Sequence, residues 1–285
     1  MRNRVTLGLS VSPGASATAV DGLALALAVL VAIAAPAAAA ETARQILDRS
    51  KQLDDTVRKW TDRHQHMKLT IIDRRGGERR RELDFYERKD PGDEQKAIVF
   101  FAAPAEVRGT AFLAYTHKGR PADQWLYLPE LKRIRQITAR TRSESFMGTD
   151  FTYHDLDLIA EMPSWREDDA RSSLRDSEPV DGVDCNVIEL APQREDIGYQ
   201  RVVLWLGKED LFARRIELYE ETAEPKKRIN QRDVRSVGAV PVAHRVEVET
   251  PSAGSRTTIE ITDVQLNTGI EESLFTQRAL EHGNP

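Results

Sequence analysis

From residue 64 onward apolar and polar positions alternate with a period of two, broken by turn residues at intervals of roughly ten positions. Met67, Leu69 and Ile71 alternate with His66, Lys68 and Thr70. Val202, Leu204 and Leu206 alternate with Val203 and Trp205, and Ile216 and Leu218 with Arg215 and Glu217. Such segments are β-strands. Strands are predicted over 64–73, 79–88, 95–102, 110–117, 125–128 and 132–138. A second series is predicted over 171–178, 184–191, 199–206, 212–220, 227–235, 242–249 and 257–266. Gly76-Gly77, Pro91-Gly92-Asp93, Gly119, Gly207 and Gly238 separate them, and Asp181-Gly182 is the strongest two-residue hairpin signal. Without helices between them the strands make an antiparallel meander, and so many seldom stay flat. Half-polar strands predict one dry and one wet face.

Two segments break the period. Residues 41–57 carry Ile46, Leu47, Leu53 and Val57 at helical spacing, with Trp60 just beyond. Thr42 and Gln45 stand three apart, as a capping box requires. This stretch predicts an amphipathic helix lying on something apolar. Residues 143–158 fit no strand, yet Phe146, Met147, Phe151, Tyr153, Leu156 and Leu158 fall close together among turn formers such as Gly148. An apolar irregular segment in a strand-rich chain must be covered or must itself cover something. It is expected to cap the open end or face of the curved sheet.

The run WLYLPELKRIRQI (125–137) followed by ESFMGTDFTYHDL (144–156) resembles the LolA-like outer-membrane lipoprotein-sorting family, relatives of the periplasmic lipoprotein carrier. PAEVRGTAFL (104–113) and IEESLFT (270–276) are similar to that family too. The resemblance implies an α+β fold, mainly β: a curved antiparallel sheet forming a half-open, unclosed barrel under lid helices. It further implies a carrier of lipoprotein or lipid acyl chains. Its expected partners are an inner-membrane transporter and an outer-membrane acceptor, and the runner-up reading is a soluble accessory protein of an inner-membrane lipid exporter.

The first forty residues read differently from the rest. Arg2 and Arg4 precede an apolar run, 23–35, and an alanine-rich stretch offers A-x-A cleavage choices up to Ala40. These are the parts of a secretory signal peptide. A cleaved 1–40 and a single carrier domain over 41–285 in the periplasm are the expected organisation. The chain carries a net charge of −5, which gives no drive toward nucleic acid. Its one cysteine, Cys185, lies in an apolar strand and reads as a buried thiol, so a large core rather than disulfides must stabilise the protein. A monomer is expected.

No nucleophile elbow, phosphate loop, zinc-protease or dinucleotide motif occurs. His64 and His66 share a strand face without a third ligand, so no metal is expected. Asp150, Asp155 and Asp157 with His154 would be the residues of a rival lipid or glycan hydrolase, although aspartates in turns more often cap backbone amides. The expectation is a protein without catalysis or cofactor. Apolar transfer at about 0.8 kcal/mol per CH₂ makes an acyl chain of roughly fourteen carbons worth on the order of 10 kcal/mol before ordering costs. The candidates for cavity wall or lid are Phe85, Phe100, Phe112, Trp125, Tyr127, Phe146, Met147, Phe151 and Leu204. Arg133 and Arg135, within a basic cluster beside the irregular segment, are candidates for an anionic headgroup. The other cluster, around Arg74–Arg81, reads as a solvated hairpin tip.

Overall fold

The computed structural model describes residues 41–283, so the predicted signal segment 1–40 lies outside the described residues. The predicted helix is α1 (Ala43–Thr56). The Thr42 hydroxyl accepts the Gln45 N–H and the Gln45 side chain accepts the Thr42 N–H, closing the capping box.

All thirteen predicted strands are present. The first series is β1 (Asp62–Ile72), β2 (Glu78–Asp90), β3 (Glu94–Ala103), β4 (Ala111–His117), β5 (Arg120–Leu128) and β6 (Arg133–Ile137). The second is β7 (Ala170–Val180), β8 (Val183–Pro192), β9 (Arg201–Gly207), β10 (Ala213–Tyr219), β11 (Lys227–Val237), β12 (Val240–Thr250) and β13 (Ser255–Leu266). Each strand pairs antiparallel with its successor within a series, and β1 pairs with β13 to join the two. The result is one thirteen-stranded sheet with β6 and β7 as unjoined edges, a half-open barrel.

This order dictates the role of the irregular segment. The chain leaves the sheet at one edge, β6, and re-enters at the other, β7. Residues 138–169 therefore have to cross the whole sheet. Part of the crossing is helical, which the strand-and-turn reading missed: α2 (Tyr153–Glu161) is capped by Thr152, whose hydroxyl accepts the Asp155 N–H at 3.0 Å while Asp155 accepts the Thr152 N–H at 2.7 Å.

The main core lies on the sheet face that α1 and the crossing cover, here the inner face; Leu83, Val99, Phe112, Leu158, Leu204 and Val248 belong to it. The expectation of one dry and one wet face needs correction. On β3–β5 the outer face is buried as well: Ile98, Phe100, Ala111 and Leu113 pack under Leu274, Phe275 and Leu280 from the C-terminal segment. That segment ends in α3 (Gln277–His282) and is tied down by the Tyr115 hydroxyl, which donates to the Phe275 carbonyl at 2.6 Å. On β8–β10 the outer face buries Cys185, Val187, Val203, Trp205 and Tyr219 as a separate cluster. Arg215 lies over the Trp205 ring at 5.4 Å and Arg201 over Tyr219 at 3.8 Å, so arginine stems and guanidinium planes shield that patch.

Where the two strand series join, Asp62 holds the chain after β13. Its carboxylate accepts the Thr268 N–H at 2.8 Å, the Gly269 N–H at 3.3 Å and the Thr61 hydroxyl at 3.0 Å. Burial raises its pKa, but these bonds outweigh burial and hold it below the ordinary 3.8. A carboxyl with a depressed folded-state pKa contributes stability above its unfolded value and loses it as pH falls through the folded one. Asp62→Asn is therefore expected to flatten the acid limb of the unfolding free energy below about pH 4, measured by urea titration across pH. An unchanged slope between pH 5 and pH 2 would show that Asp62 is not a source of the acid dependence.

Candidate functional site

Strand parity places a graded wall on the inner face. Met67 and Leu69 of β1, Leu83 and Phe85 of β2, and Val99 of β3 face the same way. Ala97 of β3 pairs with Ala114 of β4, and both line the same space. Two alanines opposite one another lower the floor by leaving the room that larger side chains would fill. Phe112, Phe146 and Phe151 close one side, and Leu156, Ile159 and Ala160 of α2 roof it. The charged side of α1, with Lys51 and Asp54, and Arg58 just beyond its end form the rim. Enclosed between these walls is a cavity of about 990 Å³, at the upper end of the roughly 300–1,000 Å³ typical of small-molecule sites.

A buried polar network fastens the crossing to the second half of the sheet. Asp150 accepts hydroxyl protons from Thr250 (2.8 Å), Ser255 (2.5 Å) and Thr257 (2.7 Å). The Lys227 ammonium donates to the Asp150 carbonyl and lies 4.0 Å from Asp155, which also accepts the Tyr199 hydroxyl at 2.5 Å. Burial lowers the Lys227 pKa and raises that of Tyr199, and Asp155 adds to the latter shift. Farther along, Arg142 pairs with Asp157, Gln124 donates to the Tyr153 carbonyl at 3.0 Å, and His154 donates through Nε2 to the Ile197 carbonyl at 2.8 Å. At the far end of β2, Arg79 and Arg81 donate to the carbonyls of Gly148 and Met147 at 3.3 Å. Gly148 has φ +77°, and a Cβ there would lie 3.1 Å from the Arg79 guanidinium, so this turn suits glycine on both counts.

By contrast, α1 buries only Ala43 and Ile46. Leu47 and Leu53 pack half-buried against the core, and polar contacts tie the margin: Arg44 to the Trp165 carbonyl (3.2 Å), Ser50 to the Leu211 carbonyl (3.1 Å), and Lys51 to Asp93 (2.7 Å).

Of the residues singled out beforehand, Phe85, Phe112, Phe146 and Phe151 are brought together in the cavity wall. Phe146 is only 6 % exposed, with Phe112, Tyr153 and Phe101 rings 5.1–6.0 Å away, so it supports the core as well as the cavity. Met147 packs at the core's edge and Leu204 lies in the core itself, neither in the wall. Phe100, Trp125 and Tyr127 sit on the opposite side of the sheet, in the cluster under the C-terminal segment. Their parity explains it: Val99 and Leu126 point inward, so their neighbours point out. Arg133 and Arg135 stand exposed on the edge strand β6, Arg135 paired with Glu144 at 3.2 Å, and neither lines the cavity. Leu156 of α2 and Trp60 at the rim were noted as apolar positions but not as part of a site, and Ile159 of α2 and Lys89 at the rim were missed altogether. The Thr152-x-x-Asp155 spacing ahead of Leu156, Leu158 and Ile159 was the available sign of that helix.

The remaining candidates have structural partners. His64 and His66 both approach Asp84 Oδ1, at 3.3 and 3.2 Å. Among the described residues no group of three or more His, Cys, Asp or Glu is placed to hold a metal ion, and no helix is long and apolar enough to cross a membrane. Cys185 is fully buried, and burial raises its thiol pKa.

Three solved structures share this architecture. An outer membrane lipoprotein-sorting protein domain from Vibrio parahaemolyticus is 28% identical, with a TM-score of 0.75 over 84% of this chain and 98% of that one. A DUF1329 family protein from Desulfovibrio piger is 23% identical, with a TM-score of 0.76 over 84% and 97%. A LolA superfamily protein from Nitrosomonas europaea is 18% identical, with a TM-score of 0.61 over 84% and 100%; these last two speak to the fold. No curated protein matches by sequence. A family model described as "-like: Uncharacterized protein" matches residues 93–282. With the motifs at 104–113, 125–137 and 144–156 in place on this half-open barrel, the chain belongs to the family of that model, and its fold is the one shared by the LolA-like outer-membrane lipoprotein-sorting proteins.

Proposed function

We propose that the protein is a periplasmic carrier that takes the acyl chains of a lipoprotein or lipid into this cavity and moves them toward the outer membrane. In this reading 1–40 directs secretion and is removed, and 41–285 acts as one carrier domain that does no chemistry. The observation that carries it is the cavity of about 990 Å³, floored by apolar strand positions and rimmed by charge. Sorting of this kind needs reversible burial of an alkyl chain, which the hydrophobic effect supplies without catalysis. The aspartates that a hydrolase would use are instead engaged as caps and anchors: Asp155 at the start of α2, Asp150 under the crossing and Asp157 on Arg142. The name of the Vibrio relative supports a lipoprotein or lipid as cargo.

The same geometry divides the cover into a fixed and a movable part. The crossing is riveted by buried charge and hydroxyl bonds, whereas α1 fully buries only Ala43 and Ile46 and is otherwise held by half-buried leucines and part-buried polar bonds. Loading would therefore proceed by displacement of α1, a partner favouring the displaced state acting as donor or acceptor. Native mass spectrometry of the protein secreted from its own host is expected to show an adduct of lipid mass. Removing that lipid should raise hydrogen exchange in α1 while α2 stays protected. Protein that emerges free of lipid and takes up none from phospholipid micelles would refute the carrier reading.

A further inference from the structure

The rim of the cavity holds a cation that, among the described residues, has no carboxylate within salt-bridge distance. Along the inner face of β2 the order is Leu83, Phe85, Glu87, Lys89, from the apolar interior to the mouth. Six residues separate Leu83 from Lys89, about 20 Å at roughly 3.3 Å per residue. Half of a bilayer's roughly 30 Å hydrocarbon core, about 15 Å, is what one acyl chain spans. A chain whose methyl end reaches Leu83 thus brings its polar end to the level of Glu87 and Lys89.

The rim carboxylates already have partners. Asp93 and Asp55 lie 2.7 and 3.1 Å from Lys51, and Asp54 lies 3.6 Å from Arg58. Glu87 pairs with Arg63, Asp90 with Lys96 at 2.9 Å, and Glu94 with His117 at 2.5 Å. Lys89 differs. Its ammonium stands over the Trp60 ring, 4.1 Å from the centroid, and among the described residues no carboxylate oxygen comes within salt-bridge distance of it. Arg63 lies 4.8 Å from the same ring. Burial lowers the Lys89 pKa, with Glu87 and Asp54 opposing that shift from a distance. A half-buried ammonium on an aromatic face, at the polar end of an alkyl-length groove, lacks the anion that would complete it.

We propose that Lys89, seated on Trp60, is the headgroup subsite for an anionic amphiphile, a carboxylate or phosphate head whose single acyl tail lies along Phe85 and Leu83. This rests on the carrier reading and narrows its cargo from acyl chains in general to acyl chains with an anionic head. The test is displacement of the neutral dye N-phenyl-1-naphthylamine from the purified 41–285 protein by palmitate, by palmitoyl lysophosphatidate, by hexadecanol and by inorganic phosphate. At least one anionic amphiphile is expected to bind about tenfold or more tighter than hexadecanol, and inorganic phosphate not to compete. Which of the two does so identifies the head as carboxylate or phosphate. Lys89→Met should abolish the preference while leaving hexadecanol binding within about twofold, and Lys89→Arg should restore it. Equal binding of hexadecanol and both anions, or a preference that survives Lys89→Met with an unchanged circular dichroism spectrum, overturns the proposal and leaves the carrier reading standing. If none of the three amphiphiles displaces the dye, the carrier reading fails and the headgroup assignment fails with it.

Discussion

Asp150→Ala is expected to lower the thermal unfolding midpoint by on the order of 10 °C, the largest stability loss of any single surface-distant substitution outside the apolar core. The carboxylate is 5 % exposed and is the shared acceptor for the hydroxyls of Thr250, Ser255 and Thr257. Alanine leaves these hydroxyls without their acceptor and removes the negative charge nearest the buried Lys227 ammonium apart from Asp155. Stranding one side of a buried charged network costs about 3–5 kcal/mol, and about 1 kcal/mol corresponds to 2–4 °C in a domain of this size. The damage is local in origin but not in reach, because these bonds hold the crossing that connects the two edges of the sheet. Asp150→Asn keeps one acceptor oxygen and the side-chain volume, so an intermediate loss is expected. Calorimetry on both variants checks this. A shift below about 2 °C for alanine would mean that the hydroxyl bonds to Asp150 are not what holds the crossing. Arg135→Ala, which breaks an exposed pair with Glu144 on the edge strand, provides the contrast and should be nearly silent.

The contrast between these two sites also shows what one-dimensional pattern can and cannot carry. Alternation and the turn residues between the segments located the strands, because each side-chain choice in 64–73 or 242–249 is made locally by the face it meets. Asp181-Gly182 likewise declares its turn, both residues adopting the positive φ that a tight hairpin requires, 51° and 81°. The helix α2 was hidden because its apolar residues mix with buried aspartates, and Asp155 and Asp157 face polar partners from distant parts of the chain rather than water. Those partners, Tyr199 and the Ala122 N–H, are tertiary facts with no local mark. The inside-outside error at Phe100, Trp125 and Tyr127 has a different origin. Ile98-Val99-Phe100-Phe101 is an unbroken apolar run, the sign of a strand buried on both faces, and the residues that bury its outer face lie far away at 270–282. Lys89 escaped notice because a lysine at a strand end is ordinarily solvated. Only the fold sets it on Trp60 at the mouth of a cavity, and the empty volume itself is a property of how the faces meet, with Ala97 opposite Ala114 as its faint trace.

That alanine pair supports the sharpest separation of binding from folding. Ala114→Phe is expected to weaken uptake of a long-chain amphiphile about a hundredfold while leaving the unfolding midpoint unchanged or slightly higher. Ala114 points inward from the middle of β4, opposite Ala97 and beside Gln124, with its methyl group at the cavity floor. A phenyl ring added there enters empty space rather than a packed core, so the overpacking that normally costs about 1–3 kcal/mol has room to relax, and the ring gains apolar burial. The same ring takes the place of about four methylenes of a bound chain, which at about 0.8 kcal/mol each is about 3 kcal/mol, or roughly two decades in affinity. Dye displacement and native mass spectrometry measure the loss, and calorimetry confirms the fold. Asp150→Ala should do the opposite, reducing stability more than intrinsic affinity at temperatures where the protein remains folded. A phenylalanine at 114 that leaves lipid uptake intact would place the bound chain somewhere other than this cavity, and a ring that unfolds the protein would mean the floor has no free volume to accept it.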